Sequence, residues 1–314
     1  MALGTSHVTV TTADKFIPEV WSDEIVATYK KNLVAANLIK KMSFKGKKGD
    51  TVHIPVPTRG SASVKSASTQ VTLIAATESD VVISINKHYE YSRLIEDIVE
   101  AQALSSLRQF YTQDAGYALA KQVDTSVIQL GRGVNGATIG TNDYATSASS
   151  TKAFIGSDGT TAYNSSTSNA AALTDAAIRR TMQRLDDQDV PMDGRYFIIP
   201  PSSRNTLMGL ARYTEQAFVG ESGGGNTIRN GEVGNLYGTS VFVTSNADYG
   251  AGNSGADRIC LLGHKDAFVL VEQQGVRSQT QYKQEYLGTL FTADTLYGVG
   301  ELRDYGAVAL AVPA

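Results

Sequence analysis

From Ser92 to Gly133 the apolar residues recur mostly at three- to five-residue steps: Ile95, Val99, Ala103, Leu107, Phe110, Tyr111, Ala118, Val123, Val127 and Leu130. This is helical spacing, and it predicts one helix opened by Ser92 as N-cap and stopped by Gly131 and Gly133. Glu96 and Asp97 would sit in its first turn, where acids complement the helix dipole. At about 1.5 Å per residue such a helix would be about 55 Å long. It lacks coiled-coil heptads, so a rod of that length must lie along something extended. Gly116 in its middle predicts a slight bend.

Upstream, residues 1–15 are Thr-rich and predict an extended arm. Pro18 suits a first helical turn, and Trp21, Ile25 and Tyr29 form a stripe at four-residue spacing. Leu33 to Met42 predicts a second amphipathic piece, and Lys45 to Asp50 a turn. The run 51–57 reads as a strand, but Pro55 and Pro57 cannot donate to a ladder, so it belongs at an edge or in an arm. Its partner is read at 80–89. The connection, Thr58 to Ser79, is Ser-, Ala- and Thr-rich with little to bury. So long a polar connection argues against a compact placement, and a protruding two-strand arm resolves the difficulty.

Downstream, 134–170 is Ser, Thr, Gly, Ala and Asn with few large apolar residues, which predicts a surface insertion. Thr174 caps a short helix carrying Ile178, Met182 and Leu185. Tyr196 to Ile199 is a buried strand stopped by Pro200-Pro201, and Ser202 or Ser203 opens another helix through Leu207 and Leu210. Gly220 to Gly225 is a flexible loop, and Asn230-Gly231 a hairpin turn. Val241–Val243, Ile259–Leu262 and Phe268–Val271 are strands. The tail from Gln279 to Ala314 returns as extended strands. The class is α+β.

The chain has 314 residues, 42% hydrophobic, with a net charge of −3. That charge is too small for a nucleic-acid binder or a membrane-surface protein. The single cysteine, Cys260, excludes an internal disulfide and a cysteine zinc cluster, and reads as a small buried hydrophobe. The sequence shows neither a secretory signal nor an apolar run near the ~20 residues of a membrane span, so folding in a cytoplasm is expected.

His7, His53, His88 and His264 lie far apart, so no local metal pair arises, and neither a metal nor a cofactor is expected. Walker and dinucleotide-binding patterns are absent, and Gly223-Gly224-Gly225 is a loop. Gly220-Glu221-Ser222-Gly223-Gly224 fits the nucleophile elbow G-x-S-x-G, with Asp248 or Asp257 and then His264 in the order of a serine hydrolase. The elbow needs a helix directly after the serine, and three glycines open one poorly. Catalysis is therefore not expected. Asp186, Asp187 and Asp189 read as a solvated turn, and Lys45, Lys47 and Lys48 as a charge run.

The order of segments is distinctive. It runs Phe16-Ile17-Pro18-Glu19-Val20-Trp21, then Gly49 to Pro55, the long helix, and Asp193 to Pro201 between two helices. Val233 to Val241 comes next, and Leu296-Tyr297-Gly298-Val299-Gly300-Glu301 to Val308 closes the chain. This order resembles the major capsid proteins of tailed bacteriophages, with the Hong Kong 97-type fold, over nearly all of the chain except 134–170. The resemblance implies an N-terminal arm at 1–44, an extended loop (E-loop) at 45–91 and a spine helix of the peripheral domain (P-domain) at 92–133. It also implies an axial domain (A-domain) at 134–278, with a loop-rich insertion at 134–170, and return strands of the peripheral domain at 279–314.

The implied function is a structural subunit that self-assembles, as pentamers and hexamers, into an icosahedral head shell around double-stranded DNA. The virion is its location, and it encloses DNA without sequence-specific binding. The implied contacts between copies involve Trp21, Lys47, Lys48, Val52, Ile54, Arg59, Lys65, Val81, Ile83, Phe218 and Glu221. The segment Phe218 to Asn226 would face the capsomer centre. An arm starting near Met1 implies a separate scaffolding protein, beside a portal and decoration proteins. Lys65 is the candidate for a family-type crosslink, but no asparagine follows Asn253, so no crosslink is expected. The competing readings are an encapsulin-like shell, a serine hydrolase using Ser222, and a Gly- and Thr-rich adhesin.

Overall fold

A computed structural model describes residues 34–46, 48–56, 60–71, 73, 79–102, 107–132, 153–164, 167–210, 234–249 and 257–314. Its elements in chain order begin with α1 (Ala35–Leu38), β1 (Lys40–Ser43), β2 (Thr51–Val56), β3 (Ser79–Ser84) and β4 (Lys87–Glu96). Then come α2 (Asp97–Gln102), α3 (Leu107–Ile128), β5 (Phe154–Ile155), α4 (Asp175–Asp187), β6 (Arg195–Ile199) and α5 (Pro201–Met208). The remainder is β7 (Asn235–Leu236), β8 (Thr239–Val243), β9 (Asp257–His264), β10 (Phe268–Lys283), β11 (Gly288–Glu301) and β12 (Ala307–Pro313). They form a four-stranded sheet, β1-β10-β11-β4, a six-stranded sheet, β5-β12-β9-β6-β8-β7, and a two-stranded hairpin, β2-β3.

Strict alternation builds the six-stranded sheet. In β12, Ala307, Ala309 and Ala311 face one side, with Tyr196, Ile198, Ile259, Leu261 and the end of α3 (Val127, Ile128). Val308, Leu310 and Val312 face the other, with Phe197, Ile199, Cys260, Leu262 and the apolar stripes of α4 and α5. Period-two side chains thus give the sheet two buried faces. Small residues point where helix and backbone approach closely, and large ones where α4 leaves room. The α4 stripe is the expected Ile178, Met182 and Leu185, and the Thr174 hydroxyl accepts the Ala177 N–H at the cap. Replacing Ala309, fully buried, with Leu is expected to cost about 1–3 kcal/mol by overpacking. A chemical denaturation curve reads it as a lower midpoint at unchanged slope.

The long β10–β11 ribbon carries β4 along its outer edge, pairing Gly288 with Glu96 through Tyr297 with Lys87. Tyr89 and Tyr91 of β4 pack with Ala115 and Leu119 of α3 and with Phe291 and Ala293 of β11. The Tyr91 hydroxyl donates to Asp114 of α3 at 2.9 Å. α3 is thus laid across the sheet, and it runs unbroken through the solvent-facing Gly116.

The end of α3 is the tie between the two sheets. Fully buried Asp124 accepts the N–H of Ala35 (2.7 Å), the N–H of Ala36 (3.3 Å) and Nδ2 of Asn246 (3.0 Å). It therefore caps α1 from across the fold and fixes the β8–β9 connection. One turn beyond α3, Arg132 makes a bidentate pair with Asp248, with nitrogen–oxygen distances of 2.7 and 2.9 Å.

Several expectations are corrected. Ser92 is not an N-cap: residues 92–96 are strand, and helix begins at Asp97. Tyr89, Tyr91 and Ile95 carry a period-two signal that wins there because β11 offers a ladder. Residues 103–106, between α2 and α3, lie outside the described residues. The piece 33–42 is one helical turn followed by β1, which pairs in parallel with Val269–Glu272 of β10. The strand read at 80–89 is two strands in two sheets, broken at Ile85-Asn86. Within 134–170, residues 153–164 are not a surface insertion. Phe154 and Ile155 pair with β12, and Ala153 and Tyr163 are buried, with the Tyr163 hydroxyl donating to Asp257 at 2.7 Å. Helix α5 begins at Pro201, one residue early. The tail also divides: β11 lies in the four-stranded sheet, but β12 lies between β5 and β9 in the six-stranded one. The first helix, the glycine loop and the Asn230-Gly231 turn lie outside the described residues.

Candidate assembly surfaces

The β2–β3 hairpin pairs from Thr51 with Ser84 to Val56 with Ser79. Its inner side chains are Val52, Ile54, Val81 and Ile83, which pack onto Val269 and Val271 of β10, with Met42, Phe44, Leu296 and Leu302 around them. Two glycines of β11 make this possible. A Cβ on Gly298 would lie 2.6 Å from the Ser84 carbonyl oxygen, and one on Gly300 would lie 2.9 Å from Ile83 Cγ1. The sheet thus has a trough in which the arm is rooted. Gly298→Val is expected to lift the root of the arm, costing a few kcal/mol and raising proteolysis of the hairpin without unfolding the six-stranded sheet. Limited proteolysis with mass mapping checks this.

Ile83 is only 2% exposed. Its place as a contact between copies is therefore corrected: it is spent inside its own chain. Val52, Ile54 and Val81 are half-buried in the same root, and Lys48 is exposed beside it. Trp21, Lys47, Arg59, Phe218 and Glu221 lie outside the described residues.

Beyond the last pair the arm continues without a partner strand among the described residues. Residues 60–71 and Leu73 are all exposed, turning at Ser66–Thr69 through a hydrogen bond from the Thr69 N–H to the Ser66 carbonyl. Val64 is 100% exposed and Leu73 89%, with Val71 between them. Lys65 Nζ donates only to the neighbouring Ser66 carbonyl. These apolar side chains are held out in a surrounding of Ser, Ala and Thr. Their signal in the sequence is a few large apolar residues in a connection otherwise rich in Ser, Thr and Ala.

A second exposed apolar surface was not anticipated. It gathers Leu94, Ile98 and Val99 with Tyr282, Tyr286 and Leu287 at the far end of the β10–β11 ribbon. The Asp97 N–H donates to the Leu287 carbonyl at 3.0 Å and the Tyr282 hydroxyl to Asp97 at 2.8 Å, so the start of α2 is tied to the ribbon end. The sequence hid this surface by presenting its halves some 190 residues apart.

The hydrolase reading finds no support among the described residues. Asp248 is paired to Arg132, and Asp257 accepts from Tyr163. His264 Nε2 donates to the Asp193 carbonyl at 2.8 Å, while its Nδ1 accepts the Asp266 N–H. Burial pushes the Cys260 thiol up to about 12, so it is inert. Among the described residues no group of three His, Cys, Asp or Glu side chains is placed to hold a metal, and no helix is long and apolar enough to cross a membrane.

Residues 35–311 match the family described as "Phage capsid protein". No curated protein sequence matches the chain. Among solved structures, one from Mycobacterium phage Che8 is similar at a TM-score of 0.72 and 23% identity, over 94% of this chain and 97% of that one. A capsid structure of the cyanophage P-SCSP1u is similar at 0.74 and 20%, over 99% and 96%. The cyanophage Pam1 capsid is similar at 0.72 and 14%, over 100% and 99%. Two sheets tied by a helix, a rooted arm and these likenesses agree: the chain belongs to the phage capsid protein family, has the Hong Kong 97-type fold, and is a structural subunit of a phage head shell.

Proposed function

We propose that copies of this chain close into an icosahedral shell around the double-stranded DNA of a tailed phage, each copy laying its arm on a neighbour. The observation that carries this is the contrast along one hairpin. Its root is packed in a trough of its own sheet, while Val64, Val71 and Leu73 at its tip are exposed. Burying such a tip on a sister copy removes apolar surface from water, at about 25 cal/mol per Å². Many such modest contacts add up in a closed array. The half-buried Val52, Ile54 and Val81, exposed Lys48 and Lys65, and Trp21, Lys47, Arg59, Phe218 and Glu221 complete the proposed contact set. The ribbon-end surface is a second one.

In this reading the hairpin is the E-loop and α3 the spine of the P-domain. The six-stranded sheet, with α4 and α5, is the A-domain. The role is structural, with no catalysis. Assembly takes place in the host cytoplasm, with a separate scaffolding protein and a portal, and decoration proteins are candidate later partners. A net charge of −3 suits an enclosure that does not grip DNA. Particles from infected cells are expected to hold nuclease-protected double-stranded DNA. Particles filled with protein and free of DNA would replace this reading with the encapsulin-like one.

A further inference from the structure

The two sheets meet at a joint made of two turns side by side. β9 leaves the six-stranded sheet through Lys265–Ala267 and becomes β10 of the four-stranded sheet. β11 leaves the four-stranded sheet through Leu302–Gly306 and becomes β12 of the six-stranded one. The turns are clamped together: the Leu302 and Arg303 N–H groups both donate to the Ala267 carbonyl, at 2.8 and 3.3 Å. Gly306 lies so close that a Cβ there would meet Ala267 Cβ at 2.8 Å.

Glu301 is the last residue of β11, directly before this clamp. It is 7% exposed, and its Oε1 is buried with no hydrogen-bond partner. Its carboxyl neighbour is Asp304, on the same turn, whose charge disfavours ionisation of Glu301. A buried acid beside another acid is a poor structural choice unless it carries a proton.

We propose that the Glu301–Asp304 carboxyl pair is a proton-dependent latch on the joint between the two sheets: neutral Glu301 keeps the two turns clamped, and its ionisation loosens them. Burial, and then the charge of Asp304, push the Glu301 carboxyl from its ordinary 4.5 up to about 8. The other charged and titratable groups of the joint are engaged or face outward. His264 is held by the Asp193 carbonyl and the Asp266 N–H, the Asp266 carboxylate lies 3.7 Å from His264 Nδ1, and the Lys265 side chain lies over Gly194. Arg303 lines the outer groove with Asp189, Asp304 and His264. The clamped state holds a proton that an open state releases near 4.5. Clamping is therefore complete below that value, weakens as pH rises, and levels off above about 8. The Asp124 and Arg132 ties hold the sheets at a second place, so loosening means local opening and not separation.

The test is hydrogen exchange on the full-length protein, read as protection factors of the Leu302 and Arg303 amides from about pH 5 to about pH 9. Normalising for intrinsic exchange removes the base catalysis common to all amides. Protection is expected to fall by up to about tenfold per pH unit to about pH 8 and then level off. Glu301→Gln is expected to hold protection flat. Asp304→Asn, which removes the repelling charge, is expected to bring the levelling-off to lower pH. A flat wild-type profile overturns the proposal without any variant, and so does a Glu301→Gln profile that keeps the wild-type slope.

Discussion

Replacing residues 57–78 with Asn-Gly is expected to give a subunit that folds and does not close into shells. The register permits the surgery. Val56 pairs with Ser79, so a two-residue type I′ turn joins β2 to β3 on an existing pair. What stabilises the hairpin in its own chain is retained, because Val52, Ile54, Val81 and Ile83 still pack on Val269 and Val271. What is lost is Val64, Val71 and Leu73, which rest on nothing in the single subunit. Melting temperature should therefore move by a few degrees at most, while particle yield by sedimentation falls to background. Normal particles from this variant would reject the role given to the arm.

The largest expected effect on stability is at Asp124. Asp124→Ala takes the acceptor from the buried Ala35 N–H and the half-buried Ala36 N–H, and leaves Asn246 Nδ2 with Thr125 Oγ1 alone. At about 1–3 kcal/mol for each buried unsatisfied group, partly relieved by relaxation, the loss is about 3–5 kcal/mol. A scanning calorimeter should see this as a fall of about 5–8 °C. Asp124→Asn keeps an acceptor oxygen and should recover part of the loss. An Ala variant as stable as the wild type would mean that the tie between α1, α3 and the β8–β9 connection contributes nothing.

The strands and helices of the two-sheet body were legible where one period ruled. Ala307 to Val312 alternates small with large, Tyr196 to Ile199 is wholly apolar, and Thr174 stands three residues before the N–H it caps. The hairpin was legible from two prolines and a connection with little to bury. Residues 92–96 were not, because Ile95 and Val99 fit a helical stripe as well as Tyr91 and Ile95 fit a strand. Only the distant partner Thr289–Thr292 decides between them. β1 was hidden because its lysines are exposed and its pairing partner lies over 200 residues away. Ala153 to Ile155 was hidden by its polar surroundings, since composition averaged over 134–170 conceals one core strand. The two strands of the hairpin were legible, but its faces were not separable. Only the trough at Gly298 and Gly300 distinguishes the inward Ile83 from the outward Val82.

Cryo-electron microscopy of assembled particles tests the central claim most directly, by tracing residues 60–73 of one copy. The tip should lie on the surface of an adjacent copy, with Val64, Val71 and Leu73 covered by it. A tip folded back onto its own subunit, or projecting into solvent within an intact shell, would contradict the account.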